Sequence, residues 1–360
     1  MSNPEVSIQG NLAVVEVSDT PSSNTFIARY NLTPDDDEGL ISFTLDFSDE
    51  TGNVADQVTS TSDGSSVSFD RTNPIVEISA DGAVFNNAFE IGLTFSEAVT
   101  GLETSDFITT NSAISNLTGS GTEYTALVTP VEEGSLTIQI GTGTVDAAGN
   151  NNEQSETFNA NYDITAPTVQ LTLQGESPTN TDISIEIAFS ESIPSFDGED
   201  LSITNGTLTN LVAENGNIIA TISPTTDGEV VVEVLAGAFV DLAGNGNAAS
   251  NTVNINYDAT APTAEISTTA SAIVNSAFDI TISFNEEVTG FTAEDFETVN
   301  ATIENFAGEG MEYTATVTPV EIGLVSVSIP ANSTSDIAEN ENEASNILQV
   351  EFDDSALTVA

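Results

Sequence analysis

Acidic and amide side chains recur at matching positions along this chain of 360 residues, and their types point to a metal site. Asp70, Asp163 and Asp258 each follow an aromatic residue and precede a proline by four positions. They lie 93 and 95 residues apart, and a decayed copy, Asp353, follows after another 95 residues. The matching positions are Asp70, Glu97, Asp106, Asp146 and Asn150; Asp163, Glu191, Asp200, Asp241 and Asn245; and Asp258, Glu286, Asp295, Asp336 and Asn340.

These positions offer oxygen ligands and nothing else, because the chain contains no His and no Cys. A hard cation such as Ca²⁺ binds about six to eight oxygens from carboxylates, amides, carbonyls and water. The pattern therefore predicts a metal site in each complete repeat, with Ca²⁺ as the cofactor.

The loop residues of this pattern have a simpler explanation when one loop is taken by itself. Residues 146–150 read Asp-Ala-Ala-Gly-Asn. Asp and Asn side chains cap tight turns, and Gly and Asn tolerate positive φ, so a turn without metal is sufficient for a single loop. For the whole recurring set we favour a cation, because gathered carboxylates repel one another unless a positive charge compensates them.

The overall charge excludes several classes of partner. The chain has 57 acidic residues against two basic ones, Arg29 and Arg71, and its net charge is -55. Such a chain cannot neutralise phosphates and is repelled by anionic lipid, so we expect no nucleic acid partner and no membrane insertion in this segment. Apolar residues make up 39% of the chain and alternate regularly, which predicts folded domains rather than disorder.

The residue types also argue against an enzyme. Without His, Lys or Cys, the chain has no base or thiol for the usual nucleophilic triads. Paired carboxylates are typical of glycosidases, but there is no Trp and there are only five Tyr to line a sugar-binding cleft. We therefore expect no catalytic residues.

Strict alternation of apolar and polar residues positions the acidic side chains. It is clearest at Phe89, Ile91, Leu93 and Phe95, at Ile183, Ile185, Ile187 and Phe189, and at Phe278, Ile280, Ile282 and Phe284. Period two predicts strands with one buried face, and several such strands per repeat predict an all-β immunoglobulin-like sandwich. In that fold Glu97, Asp106 and the loop with Asp146 share the pole that the joint at Asp70 enters.

The joints divide the chain into domains. We predict a shortened domain over 1–70, complete domains over 71–163, 164–258 and 259–353, and a tail or the start of another repeat over 354–360. In the first domain residues 3–8 copy the opening of the later repeats, so we expect a hairpin to be missing after them, with Asp19 replacing the recurring glutamate. Since proline restricts each joint, the tandem domains should form an extended rod.

Three motifs recur in the complete repeats. They are the Asp-x-Thr-Ala-Pro joints at Asp163 and Asp258, the triplets that end in Glu97, Glu191 and Glu286, and the Asp-x-Ala-Gly-Asn loops over 146–150 and 241–245. They resemble the bacterial Ig-like tandem repeats of large secreted, calcium-dependent surface adhesins. The fourth repeat departs from the pattern with Glu339 where the loop glycine is expected. The resemblance implies rods that carry a binding tip away from the cell, with calcium stiffening the joints.

We therefore predict a structural stalk or spacer segment of a bacterial cell-surface adhesin, located outside the cell. Its partners would be the neighbouring repeats and, through a tip outside this segment, a host, surface or matrix ligand. Cell adhesion and biofilm formation are both settings for such a stalk. The alternatives are a glycan-binding or protein-binding Ig-like module and an accessory region of a large secreted enzyme. The nearly equal lengths of the complete repeats favour a spacer.

Overall fold

The protein, seen in a computed structural model, is almost entirely β structure. The model describes residues 4–17 and 25–355, and these contain β-strands, three single-turn 3₁₀ helices and no α-helix. Asp19 and the last five residues of the predicted tail lie outside the described residues. The chain divides into two compact units, Met1–Ile164 and Thr165–Ala360, and each is described by itself.

Short strands form the first sandwich of the first unit. They are β1 (Glu5–Ile8), β2 (Asn11–Leu12), β3 (Val14–Val17), β4 (Phe26–Arg29), β5 (Gly39–Leu40), β6 (Phe43–Asp46) and β7 (Ser68–Phe69). They pair antiparallel in the orders β2-β1-β6, β3-β4 and β5-β7. Among the apolar side chains described in this sandwich, only Val6 is buried, with 8% of its surface exposed.

The second sandwich follows the joint at Asp70 and has two larger sheets. Its elements are β8 (Val76–Ser79), β9 (Val84–Phe85), β10 (Phe89–Val99), a 3₁₀ helix (Thr104–Asp106), β11 (Phe107–Thr110), β12 (Ser112–Pro130), β13 (Gly134–Ile140) and β14 (Phe158–Tyr162). One sheet has the order β12-β10-β8 and the other β11-β13-β14-β9. The hydroxyl oxygens of Thr118 and Thr125 are 3.1 Å apart, so β12 doubles back on itself.

The first sandwich differs from the prediction at its opening strand. β1 pairs antiparallel with β6, with Val6 opposite Leu45. In the second sandwich β11 pairs in this way with β13, with Phe107 opposite Ile140. The expectation that residues 3–8 copy the opening of a repeat is therefore wrong, because β1 takes the place of β11. The described residues of the first sandwich hold no counterpart of β8 and β10, the strands that precede this position.

The second unit holds the third and fourth sandwiches. The third consists of β15 (Val169–Leu173), β16 (Ile183–Phe189), a 3₁₀ helix (Gly198–Asp200), β17 (Leu201–Thr204), β18 (Gly206–Glu214), β19 (Asn217–Pro224), β20 (Gly228–Val234) and β21 (Val253–Tyr257). The fourth consists of β22 (Ala264–Ser267), β23 (Ile273–Val274), β24 (Phe278–Val288), a 3₁₀ helix (Ala293–Asp295), β25 (Glu297–Val299), β26 (Ala301–Pro319), β27 (Gly323–Ser328) and β28 (Leu348–Phe352). The sheets are β15-β16-β19-β18 and β17-β20-β21 in the third sandwich, and β22-β24-β26 and β23-β28-β27-β25 in the fourth.

The alternating apolar residues build the core of each complete sandwich. In the third, Ile183, Ile185 and Ile187 of β16 are at most 2% exposed. They belong to one buried cluster with Val230 and Val232 of β20, which lies in the other sheet. Each sheet therefore buries one face against the other, as the sequence pattern requires. The prediction of an all-β chain of tandem Ig-like sandwiches is confirmed.

Asparagine side chains fasten the first strand of the third and fourth sandwiches. Asn251 accepts a hydrogen bond from the backbone N–H of Leu171 at 2.8 Å and donates one to the carbonyl oxygen of the same residue at 2.9 Å. Asn346 makes the same pair of bonds with Ile266, at 2.7 and 2.9 Å. β15 and β22 are edge strands, so these amides replace the backbone partners that a further strand would supply.

Replacing Asn346 by Ala should lower the free energy of unfolding of the fourth sandwich by about 1–3 kcal/mol, because both backbone groups of Ile266 lose their partner. Urea denaturation followed by circular dichroism measures the change, and hydrogen exchange of the β22 amides assigns it to this sandwich. Gln349→Ala, an exposed position on β28, is the matched control. Equal midpoints for the two variants would contradict a stabilising role for Asn346.

Candidate metal centre

Three carboxylates meet where the second sandwich begins. Asp70 directly follows β7, Glu97 lies in β10 and Asp146 lies in the loop after β13. One carboxylate oxygen from each lies within 4.8 Å of the other two. Asp146 is buried, and Asp70 and Glu97 are half-buried. The structure therefore brings together three of the five residues that the sequence predicts for this site.

The strand pattern explains the position of Glu97. Its place in β10 continues the inward-facing series that includes Phe95 and Val99, which are 2% and 1% exposed. The pairing of β10 with β12 is regular up to Thr94 and shifts register before Val99. A β-bulge of this kind redirects a side chain at the end of a sheet. Glu97 therefore leaves the apolar core and reaches the other two carboxylates.

The loop that carries Asp146 holds this side chain in place. Its Oδ1 accepts hydrogen bonds from the backbone N–H groups of Ala148, Gly149 and Asn150 at 2.6–2.9 Å. Its Oδ2 accepts one from the side-chain amide of Asn150 at 2.7 Å. Burial acts to raise the pKa of Asp146, but these hydrogen bonds outweigh it and hold the pKa below its ordinary value. The residues thus form a turn, and that turn presents a charged carboxylate to the cluster.

The fourth sandwich has the same arrangement. One carboxylate oxygen each from Asp258, Glu286 and Asp336 lies within 4.8 Å of the others. The side-chain amide of Asn340 donates to Asp336 Oδ2 and to the carbonyl oxygen of Asp258, both at 2.8 Å. Its Oδ1 accepts a hydrogen bond from Asn180 of the third sandwich at 3.1 Å. This loop therefore connects directly to the joint and to the preceding sandwich.

Glu339 completes the fourth loop without glycine. Its φ is +71°, whereas Gly149 at the equivalent place in the second sandwich has φ of +96°. The chain therefore keeps the same turn with a residue type that seldom adopts positive φ. Glutamate in place of glycine does not release Asp336 from its loop. The backbone N–H of Asn340 still donates a hydrogen bond to Asp336 Oδ1 at 2.8 Å.

The residues predicted for the middle joint are divided between the two units. Asp163 belongs to the first unit, where its backbone N–H donates to the carbonyl oxygen of Phe85 at 2.9 Å. Glu191 and Asp241 belong to the second unit. Asp241 accepts hydrogen bonds from the backbone and the side chain of Asn245, both at 2.8 Å, as in the other loops. The metal site predicted from these residues stays a prediction.

The glutamate of each cluster has a raised pKa, caused by burial and by the neighbouring negative charges. The pKa of Glu97 is raised by burial first and then by the charges of Asp70, Asp146 and Glu38. The pKa of Glu286 is likewise raised by burial and by the charges of Asp258, Asp336 and Asp227, although a hydrogen bond from Asn285 lowers it in part. In the absence of a cation, each glutamate therefore carries its charge at a cost to the folded state.

A fourth acidic side chain, which the sequence pattern did not predict, lies near each cluster. Glu38 of the first sandwich accepts hydrogen bonds from Arg71 Nε at 3.0 Å and from Thr72 Oγ1 at 2.8 Å. Asp227 of the third sandwich accepts hydrogen bonds from the backbone N–H of Ala259 at 2.8 Å and from the hydroxyl of Thr260. Both acids thus fix the residues that follow the joint aspartate.

These hydrogen bonds also lower the pKa values of Glu38 and Asp227. The pKa of Glu38 is lowered, first by the hydrogen bond from Thr72. The pKa of Asp227 is lowered, first by the hydrogen bond from Thr260. In the sequence, both are acids directly before the glycine that opens the next strand, Gly39 or Gly228.

The remaining predicted aspartates lie at the ends of the 3₁₀ helices, and their part in a metal site stays a prediction. Asp106, Asp200 and Asp295 end the three 3₁₀ helices and are outside the two carboxylate groups described above. Asp106 Oδ2 accepts a hydrogen bond from the backbone N–H of Glu103 at 2.8 Å, which closes a capping box. The other two cap their helices in the same way. These bonds fix the turns that lead into the short strands β11, β17 and β25.

The chemistry and spacing of each cluster fit a calcium ion. Oxygens that bind one Ca²⁺ at about 2.3–2.6 Å lie at most about 5 Å apart, and the carboxylate oxygens of each cluster, which lie within 4.8 Å of one another, meet this limit. Three carboxylates supply about three to six of the six to eight oxygens that Ca²⁺ binds. Backbone carbonyls or water would supply the rest. Without nitrogen or sulfur ligands, the cluster does not suit a softer transition metal.

Comparison with known families identifies the repeats. The model of the bacterial Ig-like domain matches residues 70–162, 163–257 and 258–352, which is most of the chain. The chain belongs to the bacterial Ig-like domain family. The recognition of tandem bacterial Ig-like repeats from their joints and loops is thereby confirmed.

Several solved structures are similar to this chain of bacterial Ig-like domains at low identity. Invasin, a bacterial integrin-binding protein, is 13% identical with a TM-score of 0.37; the match covers 78% of this chain and 60% of the invasin chain. InvD of Yersinia pseudotuberculosis is 13% identical with a TM-score of 0.33, over 78% of this chain and 98% of its own. A tetra-tandem repeat from the extending region of a large adhesion protein is 16% identical with a TM-score of 0.30, over 98% and 92%.

Two further comparisons complete the description. No curated protein sequence matches this chain. Within residues 4–17 and 25–355, no helix has the length and apolar character needed to cross a lipid bilayer.

Removing one charge from the first cluster should stabilise the metal-free protein. Because the folded-state pKa of Glu97 is raised, the second sandwich should gain stability as pH falls toward about 4.5, the ordinary pKa of glutamate. The lowered pKa of Asp146 has the opposite sign, so stability should be lost as pH falls below about 3.8. Glu97→Gln should raise the melting temperature at pH 7. It should also remove the gain in stability that the unaltered chain shows as pH falls toward about 4.5.

The size of this gain should be below about 1 kcal/mol, because half-exposed charges are screened by solvent. Melting curves between pH 3 and 8 in chelator measure it. Glu90→Gln, on the exposed side of the same strand, is the control for removal of a charge. If the two variants gave the same curves, the carboxylates of the cluster would not repel one another measurably.

Proposed function

We propose that this chain is a spacer segment of a bacterial cell-surface adhesin, in which Ca²⁺ at the joints stiffens the connection between successive Ig-like domains. The observation that supports the proposal is that the carboxylates of one cluster come from two successive sandwiches. Asp70 ends the first sandwich, whereas Glu97 and Asp146 belong to the second. An ion bound by all of them would tie the two sandwiches together.

The joint itself is short and partly fixed by protein contacts. Only residues 71–75 separate Asp70 from β8, and Pro74 restricts the backbone among them. Glu38 holds the side chains of Arg71 and Thr72 from the first sandwich. A cation at Asp70 would remove much of the freedom that remains at this joint.

Calcium affinity need not be high for this role. Extracellular modules bind Ca²⁺ with dissociation constants of about 10⁻⁴ to 10⁻³ M, in the range of extracellular calcium. Three half-buried or buried carboxylates from rigid elements suit such a site. The location we propose is therefore outside the cell, at the bacterial surface, where cell adhesion or biofilm formation would place the stalk.

The proposed function is mechanical rather than catalytic. The partners are the neighbouring repeats of the chain, with a host, surface or matrix ligand bound by a tip elsewhere in the protein. The Ig-like adhesin-type character of the repeats supports this assignment. The repetition of the same carboxylate arrangement in the second and fourth sandwiches favours a spacer over an individual ligand-binding module or an accessory region of an enzyme.

Calcium should raise the melting temperature of the chain relative to chelator. Each site bound only in the folded state contributes RT ln(1 + [Ca²⁺]/Kd), about 2.7 kcal/mol at a hundredfold excess over Kd. Glu97→Gln should reduce this response although it stabilises the metal-free protein, because the glutamate is a ligand in one state and a source of repulsion in the other. Glu90→Gln should keep the full response.

Differential scanning calorimetry with CaCl₂, MgCl₂ or NaCl separates binding from screening. Hydrogen exchange at residues 70–75 and 258–263 then reports on the joints, and calcium should slow it. If NaCl at equal ionic strength gave the same stabilisation as CaCl₂, charge screening would account for the effect. If calcium stabilised the domains without slowing exchange at the joints, it would bind without stiffening them.

A further inference from the structure

A pair of asparagine side chains connects the third and fourth sandwiches, which belong to the same compact unit. Asn180 lies in the segment between β15 and β16, and Asn340 lies in the loop between β27 and β28 that also carries Asp336. The side-chain amide of Asn180 donates a hydrogen bond to Asn340 Oδ1 at 3.1 Å. Both side chains are half-buried. This bond therefore joins the acidic loop of one sandwich to the sandwich before it.

Backbone hydrogen bonds place Asn180 beside the joint. The N–H of the preceding residue, Thr179, donates to the carbonyl oxygen of Asn256 in β21 at 3.0 Å. The N–H of Asp258 donates to the carbonyl oxygen of Thr179, also at 3.0 Å. The segment thus runs parallel to the end of β21. This pairing holds Asn180 next to the joint aspartate, where it reaches the loop of the fourth sandwich.

The contacts of the Asn340 side chain determine which way its amide points. Its Nδ2 lies 2.8 Å from Asp336 Oδ2 and 2.8 Å from the carbonyl oxygen of Asp258. Both of these oxygens accept hydrogen bonds, whereas the Asn180 amide on the other side donates one. With the amide reversed, an oxygen would face two acceptors and a donor would face a donor. All three contacts therefore favour the same orientation.

This orientation decides what Asn340 can offer to the carboxylate cluster. The atom that it turns toward the two aspartates is an N–H donor, which is not a ligand for a hard cation. Its oxygen is directed to the third sandwich through Asn180. The side chain thus holds Asp336 of the fourth sandwich and the backbone of Asp258, which follows the last strand of the third sandwich.

The bond from Asn340 to Asp258 also crosses the joint. Asp227 of the third sandwich holds residues 259–260, through one backbone N–H and one hydroxyl. On the other side, the carbonyl oxygen of Pro262 accepts a hydrogen bond from a backbone N–H of the fourth sandwich at 2.9 Å. Asn340 reaches back past these residues to Asp258. Loss of its bonds would therefore leave the backbone between the two groups of contacts freer to rotate.

We propose that Asn340 is a positioning residue and not a cation ligand, and that its bonds to Asn180 and Asp258 fasten the third sandwich to the fourth without an ion. We call these two bonds the asparagine contact. Because the same amide orients Asp336, the contact and a bound cation stabilise each other. This coupling rests on the calcium site proposed above, whereas the ion-free contact does not.

The second sandwich provides an internal reference. Asn150 donates its side-chain amide to Asp146 Oδ2 at 2.7 Å, as Asn340 does to Asp336. Among the residues that the structure describes, no hydrogen bond joins the Asn150 side chain to Asp70 or to the first sandwich. Residues 70–75 should therefore be unaffected by variants that remove the asparagine contact.

Asn180→Ala tests the ion-free contact, because it removes the bond between the sandwiches and leaves both bonds from Asn340 to the aspartates. In the full chain in chelator, hydrogen exchange at residues 258–261 should become about two- to tenfold faster, as expected for loss of one hydrogen bond. Exchange at residues 70–75 should not change. Asn275→Ala is the matched control, since Asn275 is exposed and follows β23, which runs parallel to β28 as the Asn180 segment runs to β21.

A calcium titration of the same exchange rates tests the coupling. The calcium concentration that gives half of the slowing at residues 258–261 should rise about two- to tenfold in Asn180→Ala, because the variant loses the contact that calcium binding favours. The corresponding concentration at residues 70–75 should stay the same. A bond with a structural role alone would change the rates in chelator and leave this midpoint unchanged.

Asn340→Ala separates a positioning residue from a ligand. Loss of a ligand alone would leave exchange in chelator unchanged and reduce only the response to calcium. Loss of the asparagine contact should make exchange at residues 258–261 faster in chelator, by at least as much as in Asn180→Ala. If Asn340→Ala instead makes exchange faster throughout the fourth sandwich, Asn180→Ala decides the question, because that variant leaves the loop bonds in place.

Three results would overturn all or part of the proposal. Equal exchange in chelator for the unaltered chain and Asn180→Ala would exclude the ion-free contact. A loss of calcium response in Asn340→Ala with unchanged rates in chelator would make Asn340 a ligand. An unchanged calcium midpoint in Asn180→Ala would exclude the coupling. If calcium had no effect on the unaltered chain while Asn180→Ala exchanged faster in chelator, the calcium site and the coupling would fail and the ion-free contact would stand.

Discussion

Repulsion among carboxylates at the start of a sandwich is the constraint on which the rest of the structure depends. The fold brings Asp70, Glu97 and Asp146 within 4.8 Å of one another and half-buries or buries all three. Hydrogen bonds from the loop backbone and from Asn150 favour the charged form of Asp146, so this group does not relieve the repulsion by taking a proton. The pKa of Glu97 is raised, first by burial and then by the charges of Asp70 and Asp146. A bound cation would compensate the charges that the fold holds together in this way.

One strand links this charge cluster to the stability of the sandwich. β10 fills the core with Phe89, Ile91, Leu93 and Phe95 and then presents Glu97 from the stretch between Thr94 and Val99 where its pairing shifts register. β24 does the same in the fourth sandwich, with Phe284 buried and Glu286 in the cluster. The packed core and the carboxylate cluster therefore share the same strand. The residues of the first sandwich that the structure describes include no such strand.

The sequence was sufficient for the parts of the fold that depend on local pattern. Period-two alternation predicted the strands and their buried faces, and the repeating joints predicted the position of Asp70 relative to Glu97 and Asp146. The sequence could not show which strand β1 would pair with, because a short alternating segment fits more than one place in a sheet. It also could not separate Asp106, which caps a 3₁₀ helix, from Asp146, which joins the cluster, since both are loop aspartates near strands. Glu38 and Asp227 act across a joint, and the glycine that follows each of them does not by itself indicate that role.

The most direct test of the account is an anomalous-scattering map from crystals of the chain grown in millimolar calcium. The account predicts an ion between Asp70, Glu97 and Asp146 and another between Asp258, Glu286 and Asp336, each about 2.3–2.6 Å from its carboxylate oxygens. The loop bonds of Asp146 and Asp336 should remain as they are, because they orient these ligands. The contrary result would be grouped carboxylates with only water or a monovalent ion between them, at a calcium concentration that saturates other extracellular modules. That result would show that the clusters do not bind calcium.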